Sequence, residues 1–153
     1  MKVKQLSVFL ENKPGALNRP VDLLAKAKFN ILTLSLADTQ QFGILRCLLE
    51  DWEKAKALLE QEGFVVKVTD MVAIEVADAP GGLARILAAL EKPRVNVEYM
   101  YGFTQRQQGK GLLAFRFDDP DRAIEALQKK GINPVRSVEL FKNSLLWALE
   151  QFD

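Results

Sequence analysis

The feature that most constrains the fold of this chain is a Pro-Gly turn that occurs twice at one spacing. The first copy, residues 11–17, follows an apolar run and opens a helical pattern, and residues 77–83 do the same. Pro14 and Pro80 are 66 residues apart. The same offset aligns Gly15 with Gly81, Leu17 with Leu83 and Asn30 with Asn96. Several matches at one offset indicate an internal repeat, which decides the architecture before single elements are assigned.

The hydrophobic pattern of each half predicts the order β-α-β-β-α-β. In the first half these elements are expected at residues 3–10, 15–28, 31–37, 43–50, 52–61 and 64–69. In the second half they are expected at residues 71–76, 82–90, 95–103, 111–117, 120–130 and 133–138. With right-handed crossovers, this order gives a four-stranded antiparallel sheet with two helices on one face. We therefore predict an α+β fold of two ferredoxin-like βαββαβ units, packed together.

The repeat also predicts the domain boundaries. The first domain is expected at residues 1–69 and the second at residues 70–140, and the short junction between them implies that the two sheets lie close. Residues 141–153 form a third segment, in which apolar residues at helical spacing between 143 and 152 predict an amphipathic helix. Pro20 lies inside the first predicted helix, where a proline in a regular interior costs about 3 kcal/mol. That helix therefore either begins late or is kinked.

Composition excludes several classes of function. A hydrophobic share of 48% with 27% charged residues is typical of a soluble globular protein. A net charge of +1 gives no electrostatic reason for a nucleic-acid or membrane partner. Histidine is absent, which removes Ser-His and Cys-His catalysis and histidine-containing metal sites. The single cysteine, Cys47, alternates with Leu45 and Leu49 and is expected in the core.

The same composition sets the expected location and chemistry. No apolar run approaches the ~18 residues of a membrane span, and the N-terminal residues lack the core of a signal peptide. We therefore expect a cytoplasmic protein. No nucleophile or base stands out, so we predict that the chain is not an enzyme and has no metal or cofactor.

Two such units, each with a Pro-Gly turn after its first strand, resemble ACT domains. The resemblance covers about residues 3–140; it is carried by residues 6–17 with Phe29-Asn30-Ile31, and by Pro80-Gly81 with Val95-Asn96-Val97. It implies a regulatory protein of amino-acid metabolism, in which a small effector, usually an amino acid, binds at the seam between two domains. The effector would lie against the first turn of one domain and near the start of the second strand of the other. A homodimer is the implied assembly.

The resemblance assigns twelve residues to ligand binding. They are Asn12, Gly15, Ala16, Leu17, Asn30 and Ile31 in the first half, and Asp78, Gly81, Gly82, Leu83, Asn96 and Val97 in the second. A helix N-terminus offers free N–H groups and a positive dipole end to a carboxylate. Glycine lets a ligand approach the backbone, and asparagine supplies both a donor and an acceptor. Asp78 only accepts when ionised and prefers an ammonium group, so the two seams are not expected to be equivalent.

Structural roles remain open for these residues. The glycines could serve the turn alone. Asn12 and Asp78 could cap the helices that follow them, and Asn30 and Asn96 could be turn formers between helix and strand.

Two other functions remain open. RNA-recognition domains share this order of elements, and Lys110-Gly111 with Phe115 and Phe117 is similar to their third strand. The strand predicted at 71–76, however, has no aromatic partner for stacking, and the strand predicted at 43–50 has no aromatic residue at all. The small subunit of acetohydroxyacid synthase resembles the first half. On that alternative, the chain would be a regulatory subunit docked on an amino-acid biosynthetic enzyme.

Overall fold

The computed structural model describes residues 1–104 and 109–142, and the fold is α+β. The strands are β1 (Lys2–Glu11), β2 (Thr33–Thr39), β3 (Phe42–Leu48), β4 (Val65–Ala77), β5 (Val97–Gly102) and β6 (Lys110–Phe117). The helices are α1 (Asn18–Lys26), α2 (Trp52–Gln61), α3 (Gly82–Glu91) and α4 (Pro120–Lys129). The amphipathic helix predicted at residues 143–152 lies outside the described residues.

The chain divides into two compact units. The first unit is Lys4–Thr69, and the second unit consists of Met1–Val3 with the residues from Asp70 onward. In the first unit the strand order is β2-β3-β1-β4. Strand β3 is antiparallel to both of its neighbours, so that Leu45 lies opposite Val8 on one side and Leu36 on the other. The buried core of the first unit contains Leu6, Val8, Leu10, Leu24, Leu45, Cys47, Leu49, Ala55 and Leu59.

In the second unit the strand order is β4-β6-β5, again with antiparallel pairing. Its buried core contains Val72, Ile74, Val76, Ile86, Ala89, Leu90, Phe115, Phe117, Ala123 and Leu127. The two phenylalanines are fully buried and stack with their ring centroids 5.4 Å apart. They fill the core, so neither ring is available to stack on a base, and the RNA-binding alternative loses the aromatic residues on which it depends.

Two strands that the sequence analysis predicted separately, at 64–69 and 71–76, form the single strand β4. The side chains of Val66 and Val68 pack against the first core, and those of Val72, Ile74 and Val76 lie in the second. All five positions are even, so the alternation of the strand continues without a break. No glycine or proline interrupts it, and the polar pair at 69–70 is not enough to end the strand.

The last predicted strand, at 133–138, is wrong. Residues 132–136 have no regular structure, and residues 137–142 are helical. A single backbone bond, from Val135 N to Ala73 O at 2.8 Å, joins this segment to β4 in the described part of the chain. Pro134 fixes its own φ near −65°, away from the roughly −140° of an antiparallel strand, which disfavours regular pairing through this segment.

Helix α1 begins at Asn18 rather than at the predicted residue 15. Pro20 is therefore its third residue, in the first turn, where backbone N–H groups have no acceptor within the helix. A helix starting directly after Gly15 would place Pro20 where its missing N–H is needed. Because α1 begins late, the helix accommodates Pro20 without a kink.

Candidate functional site

The two Pro-Gly turns share a left-handed glycine. Gly15 has φ +84° and Gly81 has φ +88°, and a Cβ added at either position would meet no described atom within 4 Å. The backbone conformation, rather than a lack of space, therefore requires glycine, since other residues pay a steric cost there. Both turns are exposed at these glycines, so a small ligand has access to the backbone.

The helices that follow these turns begin without a side-chain cap. Among the described residues, the N-cap positions Leu17 of α1 and Gly81 of α3 make no side-chain cap bond, and neither first turn contains an acidic residue. By contrast, Asp119 caps α4 by accepting from Arg122 N at 3.0 Å. Helix α2 also lacks a cap bond, so this property alone does not mark a site. Combined with the glycine turns, it leaves two positive helix ends that suit an anion.

Asn12 and Asp78 anchor the turns to neighbouring hairpins. The backbone N–H of Asn12 donates to Gln41 O at 3.0 Å, and its side-chain Nδ2 donates to Gln40 O at 3.1 Å. The backbone N–H of Asp78 donates to Gly109 O at 3.0 Å. Neither residue occupies the N-cap position of the helix that follows, which is Leu17 in α1 and Gly81 in α3. The equivalent backbone bonds show that the two turns are held in the same way.

The second turn is the more tightly packed of the two. A Cβ added at Gly82 would lie 2.2 Å from Ala77 O, so no side chain fits there without movement of the backbone. Its counterpart in the repeat is Ala16, which is half-buried. Leu83 packs against the second core, whereas Leu17 is 37% exposed. The two turns therefore share a backbone conformation but differ in their surroundings.

The asparagines before the second strand of each unit lie at the opposite end of the sheet from the turns. In the first unit, Thr33 is level with Leu48 and Gln5, whereas the turn begins after Glu11. Six residues of strand separate these levels, about 20 Å at ~3.3 Å per residue. Asn30 and Ile31 precede Thr33 and are therefore remote from the turn of their own unit.

The second unit repeats this arrangement. Val97, at the start of β5, lies opposite Phe117, whereas Ala77, before the turn, lies opposite Lys110 at the other end of β6. Asn96 is held by its backbone N–H, which donates to Asp118 Oδ1 at 2.9 Å. Each unit thus brings together its turn residues, 12–17 or 78–83, but not its asparagine. A binding site that contains both a turn and an asparagine must therefore combine residues from two domains.

Two arginines that the repeat relates, Arg19 and Arg85, were not predicted from the sequence as site residues. Arg19 donates to Glu62 O at 2.7 Å and lies over the Phe64 ring, 4.7 Å from its centroid. Arg85, at the same offset of 66 residues, lines a cleft in the second unit together with Glu75 and Lys110. The offset itself was the signal that could have identified this pair.

The single cysteine of the chain lies in the core. Cys47 is buried, and desolvation raises the pKa of its thiol to about 12, so it is not a nucleophile at neutral pH. Within residues 1–104 and 109–142, no three metal-ligating side chains come together. In the same residues, no helix combines the length and the apolar character that crossing a membrane requires.

Comparison with known proteins gives one family. A family model described as an ACT domain pair matches residues 1–143. The chain is 39% identical over 66 residues to the acetolactate synthase small subunit of Haemophilus influenzae, which covers 43% of this chain and 40% of that protein. It is 33% identical over 78 residues to that of Buchnera aphidicola, covering 46% and 48%. The chain thus spans less than half the length of these curated relatives.

Solved structures show the same fold. A protein from Bacteroides thetaiotaomicron superposes with a TM-score of 0.86 at 37% identity, covering 93% of this chain and 97% of that one. The regulatory subunit of aspartate kinase from Thermus thermophilus superposes with a TM-score of 0.61 at 13% identity, covering 84% and 93%. At that identity, the second likeness concerns the fold alone.

Proposed function

The chain belongs to the ACT domain pair family, and on that basis we propose that it is a non-catalytic regulatory protein that binds an amino acid at an interface between ACT domains. The observation that carries the proposal is the pair of turns, in which a left-handed Gly15 or Gly81 leads into a helix without a side-chain cap. In this proposal residues 1–69 and 70–140 act as the two domains.

The proposed ligand contacts divide between the two ends of the domains. The carboxylate of the amino acid binds at the N-terminal end of α1 or α3, where the helix dipole contributes about 0.3–2 kcal/mol. That contribution is too small to give useful affinity alone. Each asparagine lies at the end of its own sheet that is remote from the turn. The remaining polar contacts therefore come from Asn30 or Asn96 of a second domain. Asp78 favours the ammonium group, so the two turns bind with different affinities.

The proposed mechanism of regulation is linkage. A ligand that contacts two domains stabilises the arrangement in which they are paired, and a partner responds to that arrangement. We propose a homodimer as the pairing unit. The sequence identity to acetolactate synthase small subunits supports a second candidate, in which the chain is the regulatory subunit of an amino-acid biosynthetic enzyme.

A thermal-shift screen of the common amino acids tests the proposed function. A ligand at ~100 times its Kd adds about 2.7 kcal/mol to the free energy of unfolding, which raises Tm by several degrees in domains of this size. We expect Asn30→Ala to abolish this shift and to leave the unliganded Tm nearly unchanged. Gln61→Ala, an exposed amide at the end of α2, serves as the control and should keep the full shift.

Two results would count against the proposal. If no amino acid raises Tm, the chain is not an amino-acid sensor. If Asn30→Ala lowers the unliganded Tm but keeps the ligand response, Asn30 is only a turn former. Light scattering after size-exclusion chromatography, with and without the catalytic subunit of acetolactate synthase, then separates a free-standing dimer from a docked subunit.

A further inference from the structure

A groove lies on the helical surface of the second unit, between α3 and α4, which pack against each other. Its volume of about 500 Å³ falls within the range of small-molecule sites, roughly 300–1,000 Å³. One wall is the C-terminal end of α3 with the two residues that follow, and the other is one face of α4, where the lining positions recur at helical spacing. The charged residues of the lining are Lys92, Arg122, Glu125, Lys129 and Lys130.

The charge of this groove is concentrated and largely uncompensated. Its lining has four cations and one carboxylate, which leaves a net charge of +3, whereas the whole chain has +1. A hydrogen bond from Lys129 lowers the pKa of the Glu125 carboxyl, so this one carboxylate is ionised and engaged at neutral pH. Within residues 1–104 and 109–142, no carboxylate pairs with Lys92, Arg122 or Lys130. A cleft lined by one sign of charge concentrates ions of the opposite sign.

The first unit does not repeat this charge. The repeat relates the first helices at an offset of 66 residues and the second helices at an offset of 68, because α2 and α4 begin at residues 52 and 120. The counterparts of Lys92, Arg122, Lys129 and Lys130 are Lys26, Lys54, Gln61 and Glu62, in that order. Lys26 pairs with Asp22 at 2.6 Å, and Lys54 with Asp51 at 3.8 Å. The unpaired positive charge is therefore particular to the second unit and does not follow from the fold.

Helix dipoles explain only part of this arrangement. The C-terminal ends of α3 and α4 favour cations such as Lys92 and Lys130. Arg122, however, is the third residue of α4, and the first turn of a helix favours negative charge instead. A position in the first turn gives a cation no stabilisation from its own helix, so the dipoles leave Arg122 unexplained.

The lining favours a small polyanion over a segment of a partner protein. Arg122 and Lys130 are eight residues apart on α4, about 12 Å at ~1.5 Å per residue, and Lys92 lies on the opposite wall. Pro93 and Ala126, the partly buried apolar residues of the lining, are small and offer little of the surface that anchors a protein interface. Linked phosphate groups carry several negative charges over a short distance, and the guanidinium fork binds phosphate through two parallel bonds.

We propose that the groove between α3 and α4 binds a small ligand with two or more linked phosphate groups. Arg122 makes a bidentate contact to one phosphate, and Lys92 and Lys130 bind the phosphates as point charges from the two walls. Inorganic polyphosphate and nucleoside diphosphates or triphosphates share this chemistry. The site uses no residue of either Pro-Gly turn, so the inference is independent of the proposed amino-acid binding.

Calorimetric titration of the full chain with inorganic pyrophosphate tests the groove. The double variant Lys92→Ala/Arg122→Ala should weaken binding about tenfold or more, because it removes two charge-assisted contacts. The matched control, Lys26→Ala/Lys54→Ala, removes the same charge at the equivalent positions of the first unit and should leave the Kd within about twofold. Glu125→Gln removes the one carboxylate of the groove and should strengthen binding about two- to fivefold.

Two further probes distinguish the sources of the phosphate groups. If ADP binds more tightly than pyrophosphate and adenosine does not bind, the ligand is a nucleotide. If ADP and pyrophosphate bind equally, the phosphate chain alone is recognised. Either result supports the proposal.

Three results would overturn it. The first is a failure of pyrophosphate to bind to the unmodified chain, and the second is an equal loss of affinity in the two double variants, which would indicate general surface charge. The third is tighter binding of a hexaglutamate peptide than of pyrophosphate, which would indicate an acidic partner protein. Circular dichroism of each variant confirms that it is folded. None of these results changes the expected thermal shift with amino acids, so either proposal can fail without the other.

Discussion

Two adjacent glycines in the second turn are required for different physical reasons, and a pair of alanine substitutions separates them. At Gly81 a Cβ would meet open space, but φ is +88°, so Gly81→Ala costs about 1–2 kcal/mol of backbone strain. At Gly82 a Cβ would lie 2.2 Å from Ala77 O and 3.2 Å from Val76 Cγ1. Because a backbone oxygen must move, Gly82→Ala should cost about 3 kcal/mol or more, at the upper end of overpacking effects.

Urea unfolding followed by circular dichroism measures both costs. With an m value of about 2 kcal/mol/M, a loss of 3 kcal/mol lowers the midpoint by about 1.5 M, and the Gly81→Ala change lowers it by about 0.5–1 M. Gly15→Ala is the matched control, since it has the same left-handed φ and the same open space, and it should agree with Gly81→Ala. A Gly82→Ala variant that unfolds at a higher urea concentration than Gly81→Ala would refute the argument from close packing.

Three further predictions follow from single contacts. The buried Cys47 thiol, whose pKa is raised to about 12, should react with a disulfide reagent at pH 8 only after unfolding in urea; rapid reaction of the native protein would contradict this. Asp119→Ala removes the side-chain cap of α4 and should lower the free energy of unfolding by about 0.5–2 kcal/mol. Asp51→Ala, at the start of α2, should cost less, because Asp51 makes no side-chain cap bond in the described residues. Equal losses of stability in urea unfolding would contradict the capping role of Asp119. Pro20→Ala should change the free energy of unfolding by less than about 1 kcal/mol, whereas Asp22→Pro, beyond the first turn of α1, should lower it by about 3 kcal/mol. A urea midpoint that is lower for Pro20→Ala than for Asp22→Pro would contradict the late start of the helix.

The order of elements was accessible from the sequence because periodicity is a local property. Helix α2 has the predicted bounds, and the repeat of the Pro-Gly turn predicted equivalent turns in both halves. The continuity of β4 was also visible in the alternation from Val66 to Val76, but the polar pair at 69–70 was given too much weight. The missing last strand agrees with the presence of Pro134, because a proline within a run favours an edge strand or no strand.

The candidate site was less accessible, because it depends on which ends of the sheet the residues occupy. The sequence placed Asn30 and Asn96 before strands, but only the strand register shows that each lies about 20 Å from the turn of its own unit. The hairpin contact of Asn12 depends on the β2–β3 turn, far away in sequence. The surroundings of Arg85 could not be inferred from the repeat, since its counterpart Arg19 donates to Glu62 O within its own unit.

The central claim is that the amide groups after Gly15 and Gly81 receive the carboxylate of an amino acid, and amide-resolved NMR tests it directly. During titration with the amino acid that gives the largest thermal shift, we expect saturable changes at the backbone N–H groups of Leu17 or Leu83, reproduced by the matching carboxylic acid and absent with the matching amine. If every such ligand leaves both turns unperturbed at saturation of binding, the account of these turns is wrong.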